Sequence, residues 1–151
     1  MGIVRIATEV DVQSIDEDLY PHLHDNHIPS TEYIQRVVCS PDYILAVADE
    51  GTPERPILVG AATLHIIIQA AAGLKGYIDD LVVISSERRK GYGELLFEYL
   101  EDVARHQDIP KIFFTCSPRR EPGNKFHIAM GYKLRAAAVD ENGTNYYEKK
   151  L

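Results

Sequence analysis

The sequence contains no tryptophan, only two cysteines, and fewer basic than acidic residues. The cysteines, Cys39 and Cys116, are too few and too far apart for a disulfide framework or a zinc site built on paired cysteines. The longest apolar stretch, AATLHIIIQAAAG, is too short to span a bilayer and carries His65 and Gln69. These absences argue against a disulfide-stapled secreted domain, a zinc module and a membrane-spanning protein.

The charge balance argues against further classes. Lysine and arginine number 16 against 23 aspartate and glutamate residues, a formal net charge of −7. Such a chain is poorly suited to nucleic acid or an anionic membrane surface, and better suited to a cationic amine. The first residues, MGIVRIATEVD, lack the apolar run of a signal peptide, and Ile6 breaks the myristoylation pattern. We therefore expect a cytoplasmic protein with no nucleic-acid or membrane partner.

Length and periodicity predict one α/β domain spanning residues 1–151. The 151 residues, 45% of them hydrophobic, suffice for one core but not comfortably for two. Thr8 is expected to cap a helix that begins near Val10. The predicted element order is β, α, α, β, β, β, α, β, α, β, β, which gives a mixed sheet of about six or seven strands flanked by about four helices. Within it, YIDDLVVI, the next helix and KIFFTC form a right-handed crossover unit.

The segment after Gly93 has helical periodicity and two distinct faces. The predicted apolar face consists of Leu95, Leu96, Tyr99, Leu100 and Val103. The predicted solvent face consists of Glu94, Glu98, Glu101 and Asp102.

The stretch SSERRKGYGELL, residues 85–96, places three cations and two glycines at the start of this helix. A helix N-terminus offers unpaired N–H groups and a partial positive charge, and glycine lets the main chain approach a ligand closely. The pattern therefore predicts a pyrophosphate site. A Walker loop is excluded because Tyr92 follows Gly91, and a dinucleotide fingerprint because position 96 is Leu. Gly-x-Gly taken alone is equally typical of a solvated basic turn.

Two motifs at the expected separation resemble the GNAT superfamily of N-acetyltransferases. The run YIDDLVVISSERRKGYGELLFEYLEDVA is similar to the family's central strand, its Arg-or-Gln, two-residue, Gly-x-Gly loop and the following helix. Downstream, SPRREPGNKFHIAMGYKLR resembles the family's last helix, with Phe126, Gly131 and Tyr132 in register. The predicted element order is also that of the family, so the resemblance covers nearly the whole chain and implies the GNAT fold.

The resemblance implies that acetyl-CoA, or a related acyl-CoA, is the donor and that no metal takes part. Pantetheine is expected along Leu81, Val82 and Val83, with the N–H of Val82 or Val83 polarising the thioester carbonyl. The pyrophosphate is expected on the main chain of Arg89 to Glu94, and Arg88 is expected to shape that loop. Pro122 and Gly123 depart from the family's usual Asn and Ala, so Asn124, Ser117 or Arg120 is expected to supply the polar contact there. The predicted cofactor-binding residues are Leu81, Val82, Val83, Arg88, Arg89, Lys90, Gly91, Tyr92, Gly93, Glu94 and Asn124.

The catalytic acid is the sharpest departure from the family pattern. Its usual tyrosine is replaced by His127, whose imidazole can protonate a thiolate and exchange protons near neutral pH. An ordinary helical histidine is the equally weighted alternative. Tyr132, Tyr146 and Tyr147 are weaker substitutes.

Two neighbouring carboxylates are candidates for the base. YIDDLVV is similar to the start of the central strand in glucosamine-6-phosphate N-acetyltransferases of this superfamily. Asp79 and Asp80 are expected on opposite faces of the strand, so at most one of them faces the acceptor directly, and we favour Asp80 slightly. Such a carboxylate serves as a base, binds the substrate ammonium or caps a loop. The histidines of HLHDNH are expected in a polar loop, with acceptor contacts as a second interpretation and a metal site as a much weaker one.

The resulting functional hypothesis is an N-acetyltransferase that moves an acetyl group from acetyl-CoA directly to a primary amine of a small molecule. A protein amine is a variant of it. The rival hypothesis is a non-catalytic module that binds or senses acyl-CoA, suggested by the missing tyrosine at position 127 and by Pro122 and Gly123. A homodimer is a further expectation, since pairing through the later strands is common in the family.

Overall fold

The computed structural model describes residues 2–23 and 26–151, which form a seven-stranded mixed sheet flanked by helices. The strands are β1 (Ile3–Ile6), β2 (Tyr43–Asp49), β3 (Leu58–Gln69), β4 (Gly73–Val83), β5 (Lys111–Cys116), β6 (Lys133–Ala136) and β7 (Asn145–Lys150). Their order in the sheet is β1-β2-β3-β4-β5-β7-β6, with only β4 and β5 parallel. This confirms the predicted mixed sheet.

The first helical segment is less regular than the single helix predicted from Val10. It consists of a 3₁₀ turn (Glu9–Asp11), one α-helical turn, α1 (Val12–Ser14), a π-helical turn (Ile15–Leu19) and another 3₁₀ turn (Tyr20–His22). Thr8 does stand at its start, where the Thr8 N–H donates to Asp11 Oδ2 at 2.8 Å. Together with α2 (Thr31–Cys39), this segment covers one face of the sheet and packs on Leu45, Val47, Ala61 and Val82.

The opposite face is covered by α3 (Tyr92–His106) and α4 (Glu121–Ala129). The buried side of α3 includes Leu96, Phe97 and Leu100. It also includes Glu101, which is 3% exposed, so the prediction that Glu101 lies on the solvent face is wrong. Glu101 is tolerated inside because it accepts hydrogen bonds from the hydroxyl of Tyr132 and from Nζ of Lys149.

The parallel strands β4 and β5 pair over only two positions, Gly76 with Ile112 and Tyr77 with Phe113. Beyond Tyr77 the paired register ends, so the remainder of β4 has an open edge on the side of β5. Two parallel strands must be joined by a crossover connection, and α3 is the crossover between β4 and β5. A cleft lies where the two strands diverge.

A bulge in β4 lies beside this open edge. Ala61 pairs with Val82, and two residues later Thr63 pairs with Asp79, so β4 carries one extra residue here. Asp80 has a left-handed φ of 50°, which is strained for a non-glycine residue but better tolerated by Asp than by most. Its N–H donates to Asp79 Oδ1 at 2.9 Å. The simple alternation that predicted opposite faces for Asp79 and Asp80 does not hold across such a bulge.

The C-terminal strands form the predicted antiparallel pair, with β7 inserted between β5 and β6. The strand β6 therefore lies at the sheet edge, and all four of its residues are exposed. Within the described part of the chain, no helix has both the length and the apolar character needed to cross a membrane.

Candidate active site

The cleft between β4, β5, α3 and α4 has a volume of about 910 Å³. It runs from the loop after β4 at one end to the bulge of β4 at the other. Predicted site residues that line it are Asp79, Asp80, Leu81, Val82, Val83, Arg88, Arg89, Gly91, Tyr92, Gly93, Glu94 and His127. Lys90 and Asn124 are not among the lining residues.

At one end of the cleft, the N-terminus of α3 is free of any side-chain cap. Gly91 occupies the N-cap position with φ 89°, and Arg89 before it has φ 63°. Both lie in the left-handed region, so the chain turns sharply into the helix, and residues 91–94 at its start line the cleft. An uncapped helix N-terminus beside arginine side chains has the donors and the positive potential that a pyrophosphate needs.

Of the three cations in the loop, only two line the cleft. The Arg88 side chain donates from Nε to the main-chain oxygen of Val83 at 3.1 Å, which supports the expectation that Arg88 shapes the loop. Lys90 is paired with Glu87 at 2.8 Å and is exposed. The geometry therefore does not support the prediction that Lys90 binds the cofactor, because its charge is directed at its own loop.

Tyr92 is among the residues that line the cleft, but it is buried in the protein. The residue is 2% exposed; its hydroxyl donates to Glu50 and accepts the Gly2 N–H at 3.3 Å. Burial and the hydrogen bond to Glu50 raise the pKa of this hydroxyl, so it stays protonated at neutral pH. The side chain thus anchors the first turn of α3 to the loop that follows β2.

The open edge of β4 offers main-chain groups at alternate residues. The N–H of Ile84 donates to Val59 oxygen at 3.0 Å, so the main-chain groups of Ile84 face β3, and alternation along the ladder gives those of Val82 the same direction. Val83 lies between them and faces the other way, as its bond from Arg88 shows. Because antiparallel ladders alternate in this way, Val83 and not Val82 presents its N–H to the cleft.

His127 projects from α4 into a ring of aromatic side chains. Its ring centroid lies 4.0 Å from that of Phe114, 5.3 Å from Phe126, 5.5 Å from Phe97 and 5.9 Å from Tyr147. The residue is 8% exposed, and its buried Nδ1 has no hydrogen-bond partner among the described residues. An unpartnered buried nitrogen costs free energy, which is consistent with a partner supplied by a ligand.

Burial lowers the pKa of His127 to about 4. At neutral pH the ring is therefore neutral, contrary to the expectation of proton exchange near an unperturbed value. A negative charge that develops beside the ring raises this pKa again, because it stabilises the imidazolium. Until such a charge develops, a neutral ring has one N–H to donate and one nitrogen to accept.

The tyrosines considered as substitutes for the acid are engaged elsewhere. The hydroxyls of Tyr132, Tyr146 and Tyr147 donate to Glu101, Glu148 and Asn124, respectively. They are not among the residues that line the cleft. Of the four residues considered for the acid, His127 alone lines the cleft.

Asn124 is saturated by bonds within the protein. Its Nδ2 donates to the oxygens of Ser117 and Arg120 at 2.9 and 2.8 Å. Its Oδ1 accepts from the Tyr147 hydroxyl at 2.6 Å and from Nδ2 of Asn145 at 3.0 Å. Two donors and two acceptor positions exhaust the amide. The predicted contact of Asn124 with pantetheine is therefore not supported, whereas Ser117 and Arg120 do line the cleft.

The other end of the cleft is acidic. Asp79 is exposed and Asp80 half-buried, and both act electrostatically on the Tyr20 hydroxyl. Burial, followed by the charge of Asp80, raises the pKa of Tyr20, although a hydrogen bond with Thr63 opposes this. Tyr20 therefore remains a neutral hydroxyl beside two carboxylates. This arrangement suits a cationic group better than an anionic one.

The histidines before α2 make separate contacts. His22 Nδ1 lies 3.3 Å from Ser85 Oγ and the residue lines the cleft. His27 Nε2 lies 2.6 Å from Oδ1 of the buried Asp16. His24 lies outside the described residues. Among residues 2–23 and 26–151, no group of three or more His, Cys, Asp or Glu side chains is arranged to hold a metal ion.

Several lining residues were missed by sequence reasoning, among them Leu23, Phe97, Phe114, Thr115, Cys116 and Thr144. They come from four separate stretches of the chain and belong to no local motif. Only the pairing of β4 with β5, and of β5 with β7, brings them together. Phe126 belonged to the downstream motif, but nothing local showed that its ring and that of Phe97 flank His127.

The splayed sheet and its cleft define the GNAT class of acetyltransferases. The chain matches the family described as "Acetyltransferase (GNAT) family" over residues 10–132, and it belongs to that family, as its motifs predicted. A curated relative, glucosamine 6-phosphate N-acetyltransferase 1 of Oryza sativa subsp. japonica, is 27% identical over 77 residues. This match spans 51% of the chain and 47% of the relative, about half of each.

Solved structures of similar shape include acetyltransferases with bound ligands. The structure of yncA from Salmonella typhimurium with acetyl-CoA has a TM-score of 0.82 at 17% identity, covering 100% of this chain and 94% of that one. Arabidopsis thaliana NAA60 with acetyl-CoA has 0.78 at 14%, covering 100% and 99%. Glucosamine-6-phosphate N-acetyltransferase from Arabidopsis thaliana has 0.75 at 19%, covering 93% and 97%. At these identities the likeness establishes the shared fold.

Proposed function

We propose that this protein transfers an acetyl group from acetyl-CoA to the primary amine of a small molecule, in one direct step. The observation that carries the proposal is the continuous path from the open edge of β4 to the uncapped N-terminus of α3. It offers strand-like hydrogen bonding for pantetheine and N–H donors for the pyrophosphate. The acidic end of the same cleft supports a cationic acceptor.

The donor supplies an activated acetyl group as a thioester. Val83 directs its N–H at the open edge, where it polarises the thioester carbonyl as charge develops on the oxygen. The first turn of α3, with Gly91 at its cap, holds the phosphates. Orientation of two reactants in one cleft accounts for much of the rate acceleration in such a reaction.

The chain's own residues manage the protons. Asp80 takes one proton from the substrate ammonium, so that the nitrogen lone pair is free to attack. A C–N bond forms and the C–S bond breaks, and the second proton of the nitrogen passes to the departing sulfur. His127 lies in the aromatic wall of the cleft as a neutral N–H donor to that sulfur, and it takes part in the proton transfer once negative charge raises its pKa.

The first test is calorimetric titration with acetyl-CoA, with adenosine diphosphate as the control ligand. Micromolar binding of acetyl-CoA, with weaker binding of adenosine diphosphate, is the expected result. Release of free CoA is then followed with a thiol reagent across a panel of primary amines. Binding without CoA release across the whole panel would overturn the proposed transfer and favour a binding module.

Two variants test the catalytic assignments. His127→Phe keeps an aromatic ring in the α4 wall, and Asp80→Asn keeps the shape of the bulge. Both are expected to bind acetyl-CoA with nearly unchanged affinity and to lose turnover by about 100-fold or more. Asp102→Asn, which changes an exposed carboxylate of α3, is the matched control and is expected to behave as the unmodified protein. Full turnover in either cleft variant would remove that residue from the mechanism.

A further inference from the structure

A row of aromatic side chains crosses four strands on one face of the sheet. Tyr43 pairs with His65, His65 with Tyr77, and Tyr77 with Phe113, each in direct register. The Tyr43 and His65 rings stack at 4.4 Å, and the Tyr77 and Phe113 rings lie 4.8 Å apart. All four side chains are half-buried, so the row keeps part of its surface accessible.

This row leads directly to the acidic end of the cleft. Asp79 lies two residues after Tyr77. Thr63 pairs with Asp79 and His65 with Tyr77, so β4 is regular between these two residues. The two side chains therefore point to the same face, with their Cα atoms about 6.6 Å apart. The Tyr77 hydroxyl lies 3.4 Å from Oγ1 of Thr115, which lines the cleft. The row therefore lies beside the cleft and touches it through Thr115.

The cations of this surface are either outside the bulge of β4 or already engaged within the protein. The cations that line the cleft are Arg88, Arg89 and Arg120, which lie in the loop after β4 and beside α4. On the aromatic row, Lys75 is already engaged: its Nζ lies 3.9 Å from the Phe113 ring centroid and donates to the Tyr146 hydroxyl at 2.6 Å.

The same cleft contains His127, whose buried Nδ1 is unpartnered among the described residues. Asp79 and Asp80 line the same cleft as His127. An ammonium next to Asp79 and Asp80 is attracted by both carboxylates and by the face of Tyr77. A phosphate in the same place is repelled.

We infer that the acceptor is an arylalkylamine, a primary amine joined by a short alkyl arm to an aromatic ring without a negative charge. This inference rests on the proposed acetyl transfer and names its substrate class. The ammonium lies at Asp79 and Asp80, and the ring packs on Tyr77 and His65. A two-carbon arm matches the spacing between Asp79 and Tyr77 along the strand.

Steady-state kinetics with four amines tests the substrate class. The probes are 2-phenylethylamine, butylamine, glucosamine 6-phosphate and a short peptide with a free N-terminus, all with acetyl-CoA at saturation. We expect kcat/KM for 2-phenylethylamine to exceed that for butylamine about tenfold, because a ring on Tyr77 and His65 adds stacking to buried area. Preference for the sugar phosphate or the peptide would overturn the arylalkylamine and leave the transfer activity standing. Turnover of none of them, with retained acetyl-CoA binding, would count against the proposed function itself.

Variants of Tyr77 and Asp79 test which residues recognise the amine. Tyr77→Phe keeps the ring and is expected to keep the preference for 2-phenylethylamine over butylamine, whereas Tyr77→Leu is expected to reduce that ratio about fivefold or more. Asp79→Asn is expected to raise KM for both amines about fivefold, since it removes one charge that attracts the ammonium. Tyr33→Leu, an exposed ring on α2, is the control. Acetyl-CoA titration confirms that each variant is folded, and an unchanged ratio in Tyr77→Leu would overturn the role of the row.

Discussion

The guanidinium of Arg88 donates from Nε to the main-chain oxygen of Val83 at 3.1 Å, so the loop after β4 is tied to the last residue of that strand. The strand edge and the helix N-terminus are the two halves of the proposed donor site, and this bond fixes one relative to the other. If acetyl-CoA binds at these two elements as proposed, Arg88 acts on its binding through the shape of the loop.

Removal of this bond is expected to weaken donor binding without unfolding the protein. In Arg88→Met the loop loses one charge-assisted bond, and we expect acetyl-CoA affinity to fall about tenfold. Lys90→Met is the matched control. It also removes one positive charge, two residues further along the loop, but the Lys90 side chain is paired with Glu87 and not with β4. Its affinity should change less than about twofold. Equal losses in both variants, measured by calorimetry, would mean that net charge and not the tie to Val83 controls affinity.

Gly91 and Gly93 are expected to respond in opposite directions to substitution by alanine. A Cβ at Gly91 meets nothing within 4 Å, but its φ of 89° is left-handed, so Gly91→Ala should destabilise the fold by about 1 kcal/mol. A Cβ at Gly93 lies 3.5 Å from the Phe126 ring, an ordinary contact, and alanine suits a helix better. Gly93→Ala should therefore stabilise the fold by up to about 1 kcal/mol.

The free energies of unfolding of the two alanine variants are measured by urea denaturation. Donor binding distinguishes the two glycines further. If the phosphates approach the main chain closely at Gly93, the stabilised Gly93→Ala variant should nevertheless bind acetyl-CoA more weakly. A variant that is both more stable and equally tight-binding would show that the main chain at position 93 is not in close contact with the donor.

The stability of the protein should fall as the pH falls from about 6.5 to about 4, and His127 is the reason. Burial lowers its pKa to about 4 from an ordinary 6.5, so the unfolded chain binds a proton in this window and the folded chain does not. This contribution is fully present above pH 6.5 and is lost towards pH 4. His127→Phe should flatten the curve of unfolding free energy against pH over that range.

The carboxylates that bond Arg5 lose their contribution to stability below the pH range in which His127 acts. Burial opposes ionisation of Asp11 and Asp49, but their hydrogen bonds, those with Arg5 prominent among them, outweigh it and lower the pKa of both carboxyls below the usual 3.8. Their contribution is present above pH 3.8 and is lost only at more acidic values. Urea denaturation at several pH values separates the two effects, and an unchanged slope in His127→Phe between pH 6.5 and 4 would contradict the assignment.

Sequence reasoning reached the strand, loop and helix from Tyr77 to Val103 because the signals there are local. A β-branched run, a glycine pair and a helical period each depend on a few neighbouring residues. Two of the corrections arise where tertiary contacts decide the outcome. Glu101 has the spacing of a solvent-facing residue, yet Tyr132 and Lys149 compensate its burial. Asn124 has the right residue type for a ligand contact, yet its amide is consumed by protein partners.

The β4 bulge was equally beyond local reading. Whether Asp79 and Asp80 share a face depends on one extra residue in β4 relative to β3, which only the pairing of the two strands reveals. The order of the last strands is likewise non-local, since β7 and not β6 pairs with β5. The register between strands is set by side-chain packing across the sheet. Sequence periodicity therefore predicts where the strands are but not which strands pair or in what register.

The buried carboxylate of Glu101 gives a last prediction about stability. Its oxygens accept from Nζ of Lys149 at 2.9 and 3.1 Å, and Lys149 also donates to the main-chain oxygen of Met130. In Lys149→Met the carboxylate stays buried with less compensation, and we expect a loss of about 3 kcal/mol. Lys125→Met is the control, since its pair with Glu121 is exposed on both sides, and it should cost less than about 0.5 kcal/mol.

The double variant Glu101→Gln, Lys149→Met separates the ion pair from the shape of the site. If the cost of Lys149→Met comes from an uncompensated charge, Glu101→Gln should recover a large part of the lost stability. The glutamine side chain is neutral, and its oxygen still accepts a hydrogen bond from the Tyr132 hydroxyl. Urea denaturation of the single and double variants gives the coupling between the two positions. A double variant no more stable than Lys149→Met would assign the loss to packing of the Lys149 stem on the Tyr132 ring, which its Nζ approaches to 5.5 Å.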